Sequence, residues 1–140
     1  MKNFIITVFA LFIIFACDKQ KLNSKKVEGE WQIVNYYQTN NEGLTTKYPI
    51  CNGTIDFAAE IGIFDLNLIR QNGALNDTTK ASGNFQLNEN GSTIIFSNSS
   101  GLNLGNEGNY RILTLTKTDL QIEGGDTLGN VNTYLFSRKQ

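Results

Sequence analysis

Histidine is missing from all 140 residues. Its absence removes Ser-His-Asp and Cys-His nucleophilic sites, together with the usual zinc and haem ligand sets, because each needs an imidazole to move a proton or bind the metal. An excess of positive charge is missing too. Twelve Lys and Arg stand against 13 Asp and Glu, a formal net charge of −1, so there is no basic stripe of the kind nucleic acid requires. The longest apolar run, Phe4 to Ala16, has about 13 residues, short of the roughly 20 needed to cross a bilayer as a helix. Past residue 27 no long stretch repeats apolar residues at helical spacing. Proline occurs once, at Pro49, and cysteine twice, at Cys17 and Cys51.

What is present at the N-terminus follows the order of an export signal: Lys2, the apolar run to Ala16, then Cys17 and the polar segment Asp18-Lys19-Gln20-Lys21. A retained anchor helix is the alternative, disfavoured by the short run. Ile14-Phe15-Ala16-Cys17 resembles the lipobox of bacterial lipoproteins, in which cleavage precedes an acylated Cys; Phe15 is bulkier than is usual at its position. The resemblance implies a signal peptide over residues 1–16, lipid attachment at Cys17 and a membrane partner held through acyl chains. Each buried methylene contributes about 0.8 kcal/mol to such an anchor. Acylation of Cys17 would leave Cys51 without a disulfide partner, and an unpaired Cys is more often a small buried apolar residue than a reactive thiol.

The mature chain would have roughly 124 residues, enough for one domain. Residues 17–26 are polar and Lys-rich and read as a flexible tether, with the domain running from 27 to 140. Short β-branched and aromatic runs then recur between Asn/Gly clusters, an all-β pattern. Strands are expected at Glu30–Gln38, with Trp31, Ile33 and Tyr37 on one face, and at Thr54–Phe57 and Ile61–Arg70, with Ala58–Glu60 as their turn. Gln71–Thr79 reads as a polar connection. Lys80–Leu87 alternates cleanly, with Ala81, Gly83, Phe85 and Leu87 inward, and Asn90-Gly91 marks a tight hairpin into Ser92–Phe96. Ser97–Asn109 reads as an open loop at a barrel mouth, a lid or a partly ordered edge. Tyr110–Lys117, Leu120–Glu123 and Val131–Arg138 complete about eight strands.

Eight hairpin-linked strands in one small domain suit an antiparallel up-and-down barrel, which closes on itself and leaves no edge; the alternative is a β-sandwich. Gly29-Glu30-Trp31 looks like the Gly-x-Trp signature of lipocalins. The wider pattern is similar to the lipocalin-like lipoproteins of Bacteroidota. It comprises Ile33, Cys51 ahead of Thr54-Ile55-Asp56-Phe57, Gly83-Asn84-Phe85-Gln86-Leu87 with Asn90-Gly91, Tyr110 to Leu115, Leu120-Gln121-Ile122 and Tyr134-Leu135-Phe136. The departures are the long Ser97–Asn109 loop and the lack of a sharp Gly turn after Phe57. Asp18 resembles the inner-membrane retention residue of enteric lipoproteins, but Bacteroidota lipoproteins sort by other signals, which puts the expected location at the outer membrane.

No cofactor or metal motif stands out. Gly124-Gly125-Asp126 lacks the Lys-Ser/Thr of a P-loop and the ligand spacing of an EF-hand, and reads as a turn. Asp56, Glu60, Asp65, Glu123 and Asp126 offer carboxylates for a glycosidase-type pair, yet Asp56, Asp65 and Glu123 alternate with apolar neighbours and read as a solvated outer face. The expectation is therefore a non-enzyme. Its candidate interior lining is Trp31, Tyr37, Phe57, Phe64, Phe85, Tyr110, Tyr134 and Phe136, since a barrel of about eight strands either fills with side chains or holds one small ligand. A small apolar ligand is the leading partner and an envelope protein complex the alternative, with the chain then acting as a scaffolding subunit.

Overall fold

Alternation of apolar and polar residues fixes which face of each strand turns inward, and short Asn/Gly turns make consecutive strands neighbours. In the computed structural model of the chain, residues 23–48, 51–72, 75–100, 108–126 and 128–139 are described. They form β1 (Gly29–Thr39), β2 (Thr45–Lys47), β3 (Cys51–Ala58), β4 (Ile63–Asn72), β5 (Leu75–Leu87), β6 (Thr93–Ser100), β7 (Asn109–Leu115), β8 (Asp119–Gly125) and β9 (Val131–Arg138). Neighbours pair antiparallel in the order β2-β1-β3-β4-β5-β6-β7-β8-β9, and β1 also pairs with β9, which closes the sheet. Eight strands make the closed up-and-down barrel. The short β2 lies along the second half of β1, through Tyr37↔Lys47 to Thr39↔Thr45, while β3 takes the first half. A sandwich would need two sheets, and one closed sheet is what forms.

The inward set is the expected one along most strands. Ile55 and Phe57 on β3, Phe64, Leu66 and Leu68 on β4, and Ala81, Phe85 and Leu87 on β5 are buried, whereas Asp56, Asp65 and Asn67 are exposed. β1 departs from expectation. A β-bulge between Ile33 and Asn35 adds one residue against β9, and an added residue reverses the pleat beyond it. Trp31 and Ile33 point inward, Val34 is exposed, and from there Tyr36 is the buried residue. Tyr37 therefore belongs to the outer face, where Lys47 Nζ lies 5.9 Å from its ring centroid.

One end of the barrel is plugged. Residues 23–27 form a single helical turn, with Asn23, Ser24 and Val27 buried, so the part of the expected tether from 23 to 26 belongs to the folded domain. The indole N–H of Trp31 donates to the Val27 carbonyl at 2.8 Å, and Asn23 Nδ2 donates to the Glu89 carbonyl of the β5–β6 turn at 3.2 Å. Arg138 covers the assembly. Its guanidinium sits 4.2 Å from the Trp31 ring centroid and donates to the carbonyls of Lys117, Glu28 and Lys26.

Three further expectations change. The turn after Phe57 does contain its glycine, four residues after Ala58: Gly62 has φ 66° and its carbonyl accepts from Phe85 N at 2.8 Å. Gln71–Thr79 is mostly strand, because β4 and β5 continue pairing to Asn72↔Leu75. Thr45–Lys47 adds a strand that three exposed polar residues did not announce. The signal peptide, Cys17, Pro49 and residues 101–107 of the expected lid lie outside the described residues.

Candidate functional site: the barrel interior

Inside the barrel the aromatic side chains form a connected series of ring contacts, with Phe57 reaching Phe96 at 6.2 Å. Phe57 meets Phe85 edge-on at 4.8 Å between centroids, Phe64 meets Phe96 at 4.6 Å, and Phe96 meets Tyr110 at 5.7 Å. Tyr110 then contacts Tyr134 at 6.0 Å, and Tyr134 stacks on Phe136 and Tyr36 at 6.2 and 4.8 Å. Such centroid spacings are those at which offset and edge-to-face pairs are favourable. Of the eight expected lining residues, seven are brought together here: Trp31, Phe57, Phe64, Phe85, Tyr110, Tyr134 and Phe136. Tyr37 is not, for the reason given by the bulge.

Between these rings lies a cavity of about 20 Å³ lined by Ile55, Phe64, Leu66, Phe96, Tyr110, Ile122, Tyr134 and Phe136. That is room for about one water molecule, and its walls are almost wholly apolar. The interior is thus nearly filled by its own side chains.

Toward the end opposite the plug the lining turns polar. Tyr36 Oη donates to Asn132 Oδ1 at 2.6 Å, Gln38 Nε2 donates to the same oxygen at 3.1 Å, and Tyr48 Oη donates to Gln38 Oε1 at 3.2 Å. Tyr48 also stacks on Tyr36 at 4.9 Å. Tyr36 and Asn132 are both buried, so the network satisfies polar atoms that water does not reach. Burial, reinforced by Tyr36, raises the Tyr110 phenol well above its ordinary value of 10.0; a hydrogen bond with Tyr134 opposes this and the Asp126 charge adds to it.

The loop beside this network is built by Asp126. Burial works against its charge, but hydrogen bonds from the Asn130 side chain at 2.8 Å, from the backbone N–H of Asn130 and Leu128, and from the Asn132 side chain outweigh it, so the carboxyl is held below its ordinary 3.8. This is a turn-forming role. The other carboxylates stand on the outside: Asp56 and Asp65 face one another across β3 and β4 on the exposed surface, Glu60 is exposed in the β3–β4 turn, and Glu123 pairs with Arg111 at 2.7 Å. Among the described residues no three His, Cys, Asp or Glu side chains converge as a metal site would need.

Tyr36, Tyr48, Gln38 and Asn132 were not anticipated as lining. Tyr36 carried a signal, since Trp31, Ile33 and Tyr36 are an inward series whose spacing changes from two to three, as a bulge produces. For Tyr48, Gln38 and Asn132 there was none, because polar residues inside a barrel mouth are indistinguishable in sequence from loop residues.

One closed sheet of eight antiparallel strands, with one plugged end and an aromatic interior, defines a small up-and-down β-barrel. A family model described as a lipocalin-like domain matches residues 27–122, and the chain belongs to that family. Among solved structures it is similar to the odorant-binding protein from bovine nasal mucosa, at 18% identity, with 82% of this chain and 72% of that chain covered and a TM-score of 0.51. It is similar also to bovine odorant-binding protein complexed with its natural ligand, at 17% identity, the same coverage of 82% and 72% and a TM-score of 0.51. At these identities the likeness is one of fold. No curated protein matches the chain in sequence.

Proposed function

We propose that the protein is a lipid-anchored lipoprotein of the bacterial cell envelope, held at the outer membrane through acyl chains on Cys17, that takes a small apolar molecule into the half of its barrel away from the plug. The observation that carries the ligand reading is the cavity between Phe64, Phe96, Tyr110 and Tyr134. It is apolar, and Tyr134 in its wall stacks on Tyr36, whose hydroxyl donates to Asn132, so polar atoms that can orient a single polar group of a ligand stand one ring away. Because the cavity is about 20 Å³, binding requires Phe96 or Tyr134 to change rotamer, which favours a small, flat ligand and modest affinity. No step of this function calls for a nucleophile or a proton carrier, and the reading is non-enzymatic.

Titration with the apolar fluorophore N-phenyl-1-naphthylamine tests it. Wild type should bind weakly and saturably, and Phe96→Ala, which opens the cavity, should bind at least tenfold more tightly. No saturable binding by either protein, with no small molecule retained on native mass spectrometry of protein from its host, would sink the proposal. For the anchor, Cys17→Ala should move the protein from membrane to soluble fractions, and retention in the membrane would overturn that part.

A second reading, an interaction subunit of an envelope complex, draws on one feature. The β1–β2 and β8–β9 loops adjoin through the pairs Thr39↔Thr45 and Thr39↔Val131, and they expose Leu44 and Leu128 at 65% and 78%. A photo-cross-linker at Leu128 should capture one partner in intact cells on this reading, and none if ligand binding is the whole function.

A further inference from the structure

We infer that the plugged end of the barrel docks on the anionic surface of the bilayer, with lipid phosphates seated in the groove lined by Lys26, Lys117 and Arg138. The inference rests on the lipid-anchor reading of Cys17 and adds an orientation and a headgroup chemistry to it.

Chain length supplies the first argument. The folded domain begins at Asn23, on the plugged end, where its side chain bonds the Glu89 carbonyl. Only six residue steps separate Asn23 from Cys17, which reach about 21 Å at full extension. β1 has 11 residues, so at ~3.3 Å per residue and a ~40° tilt the barrel is about 28 Å tall. Were the open end turned to the bilayer, Asn23 would stand farther from the lipid than the tether reaches. The plugged end is the one that the tether brings down.

The second argument is the charge of one groove on that end. An open groove of about 750 Å³ is lined by Lys26, Gly91, Leu115, Thr116, Lys117 and Arg138, three cations and no carboxylate among the described residues. Among the described residues no carboxylate pairs with these cations. Arg138 donates only to backbone carbonyls, and Lys26 Nζ donates to the neutral Asn23 Oδ1 at 3.0 Å. Acids of the same end stand outside the lining of the groove: Glu28, Glu60 and Glu89 are exposed, Asp119 accepts from Thr116 and Thr118 at 3.1 and 2.6 Å, and Glu30 pairs with Lys139 at 2.9 Å. A cation near an anionic bilayer favours the bound state by about fivefold, and three on one groove act together.

Trp31, the only tryptophan of the chain, lies in this end beneath Arg138 and is a built-in donor for energy transfer. The lipidated full-length protein is reconstituted in phosphatidylcholine vesicles carrying dansyl headgroups, with and without phosphatidylglycerol. Transfer from Trp31 should rise with phosphatidylglycerol, fall again at high salt, and lose that rise in Lys26→Glu/Lys117→Glu, both exposed positions. The reversal Lys47→Glu, on β2 at the other end, should leave it intact. If transfer is the same in both vesicle types and unmoved by the double reversal while the protein still co-sediments with neutral vesicles, the docking is wrong and the anchor stands. Failure to co-sediment with neutral vesicles would overturn the anchor, and the docking with it.

Discussion

At the plugged end Trp31, Val27, Leu87 and Leu120 are fully buried, and the Trp31 N–H and the Arg138 guanidinium are fixed on backbone carbonyls. At the other end tyrosine hydroxyls and side-chain amides of Tyr36, Tyr48, Gln38 and Asn132 are bonded mainly to one another. The difference separates two tasks. A side chain held on backbone cannot exchange its partner without opening the fold, whereas side chains held on side chains can rotate and offer the same hydrogen bonds to a ligand or to water. The plugged end is thus held on backbone, and the opposite half on a network of side chains.

The largest expected effect tests the first half of that contrast. Trp31→Ala should destabilise the domain by about 4 kcal/mol, within the range for removing a fully buried aromatic ring, because it also strips the platform under Arg138 and leaves the Val27 carbonyl without its donor. Thermal or urea unfolding measures this, and a midpoint lowered by more than ~10 °C is expected. A loss under ~1 kcal/mol would mean that the plug is not what holds the barrel.

Much of this architecture was legible in the sequence, since strict alternation is a direct record of which side chains are buried. Phe64-Asp65-Leu66-Asn67-Leu68 and Phe85-Gln86-Leu87 left no choice of face, and Asn90-Gly91 marked a hairpin whose Gly91 has φ 66°. The β1 bulge was less legible. Val34 and Tyr36 made both faces of that strand partly apolar, and only pairing with β9 decides where the extra residue sits. Residues 23–26 looked like tether because a single helical turn has no periodicity to display; it exists through the contacts of Asn23 and Val27 with the barrel. The candidate site divides the same way. Its aromatic members were visible, and its amide members depended on which loops the topology brings together.

Within the open half, Gly124 should be the most sensitive position. A Cβ there would stand 2.7 Å from the Tyr110 ring and 3.0 Å from the Asn109 carbonyl. Gly124→Ala should therefore cost about 2 kcal/mol through overpacking. It should also displace Tyr110 into the cavity, abolishing fluorophore binding at temperatures where the protein is still folded. Binding retained at wild-type affinity would place the ligand elsewhere.

Tyr36→Phe should cost about 1 kcal/mol, the net worth of one buried hydrogen bond. Its ring stays stacked on Tyr48 and Tyr134, and Asn132 Oδ1 keeps the bond from Gln38. Amide hydrogen exchange should quicken at β9 residues beside Asn132 and stay unchanged around Trp31. Equal acceleration at both ends would break the contrast, because it would show that the two halves open together.

The smallest effect is acid-dependent and confined to the open end. The folded Asp126 carboxyl lies below its ordinary 3.8, so the unfolded chain takes up the proton first as pH falls. The stabilisation is present in full above ~4 and is lost as pH drops through the folded value. Because Asp126 is near the surface its share is small, and it should show as faster amide exchange at Leu128 and Asn130, whose N–H groups it accepts at 2.9 Å. Asp126→Asn removes the titrating charge while keeping one acceptor oxygen, and should flatten the pH dependence there while the exchange around Trp31 keeps its wild-type profile. The Trp31 and Arg138 bonds at the plugged end run to backbone carbonyls that do not titrate in this range; an acid response at Val27 and Trp31 that Asp126→Asn abolishes would show that Asp126 stabilises the whole barrel and not merely its own rim.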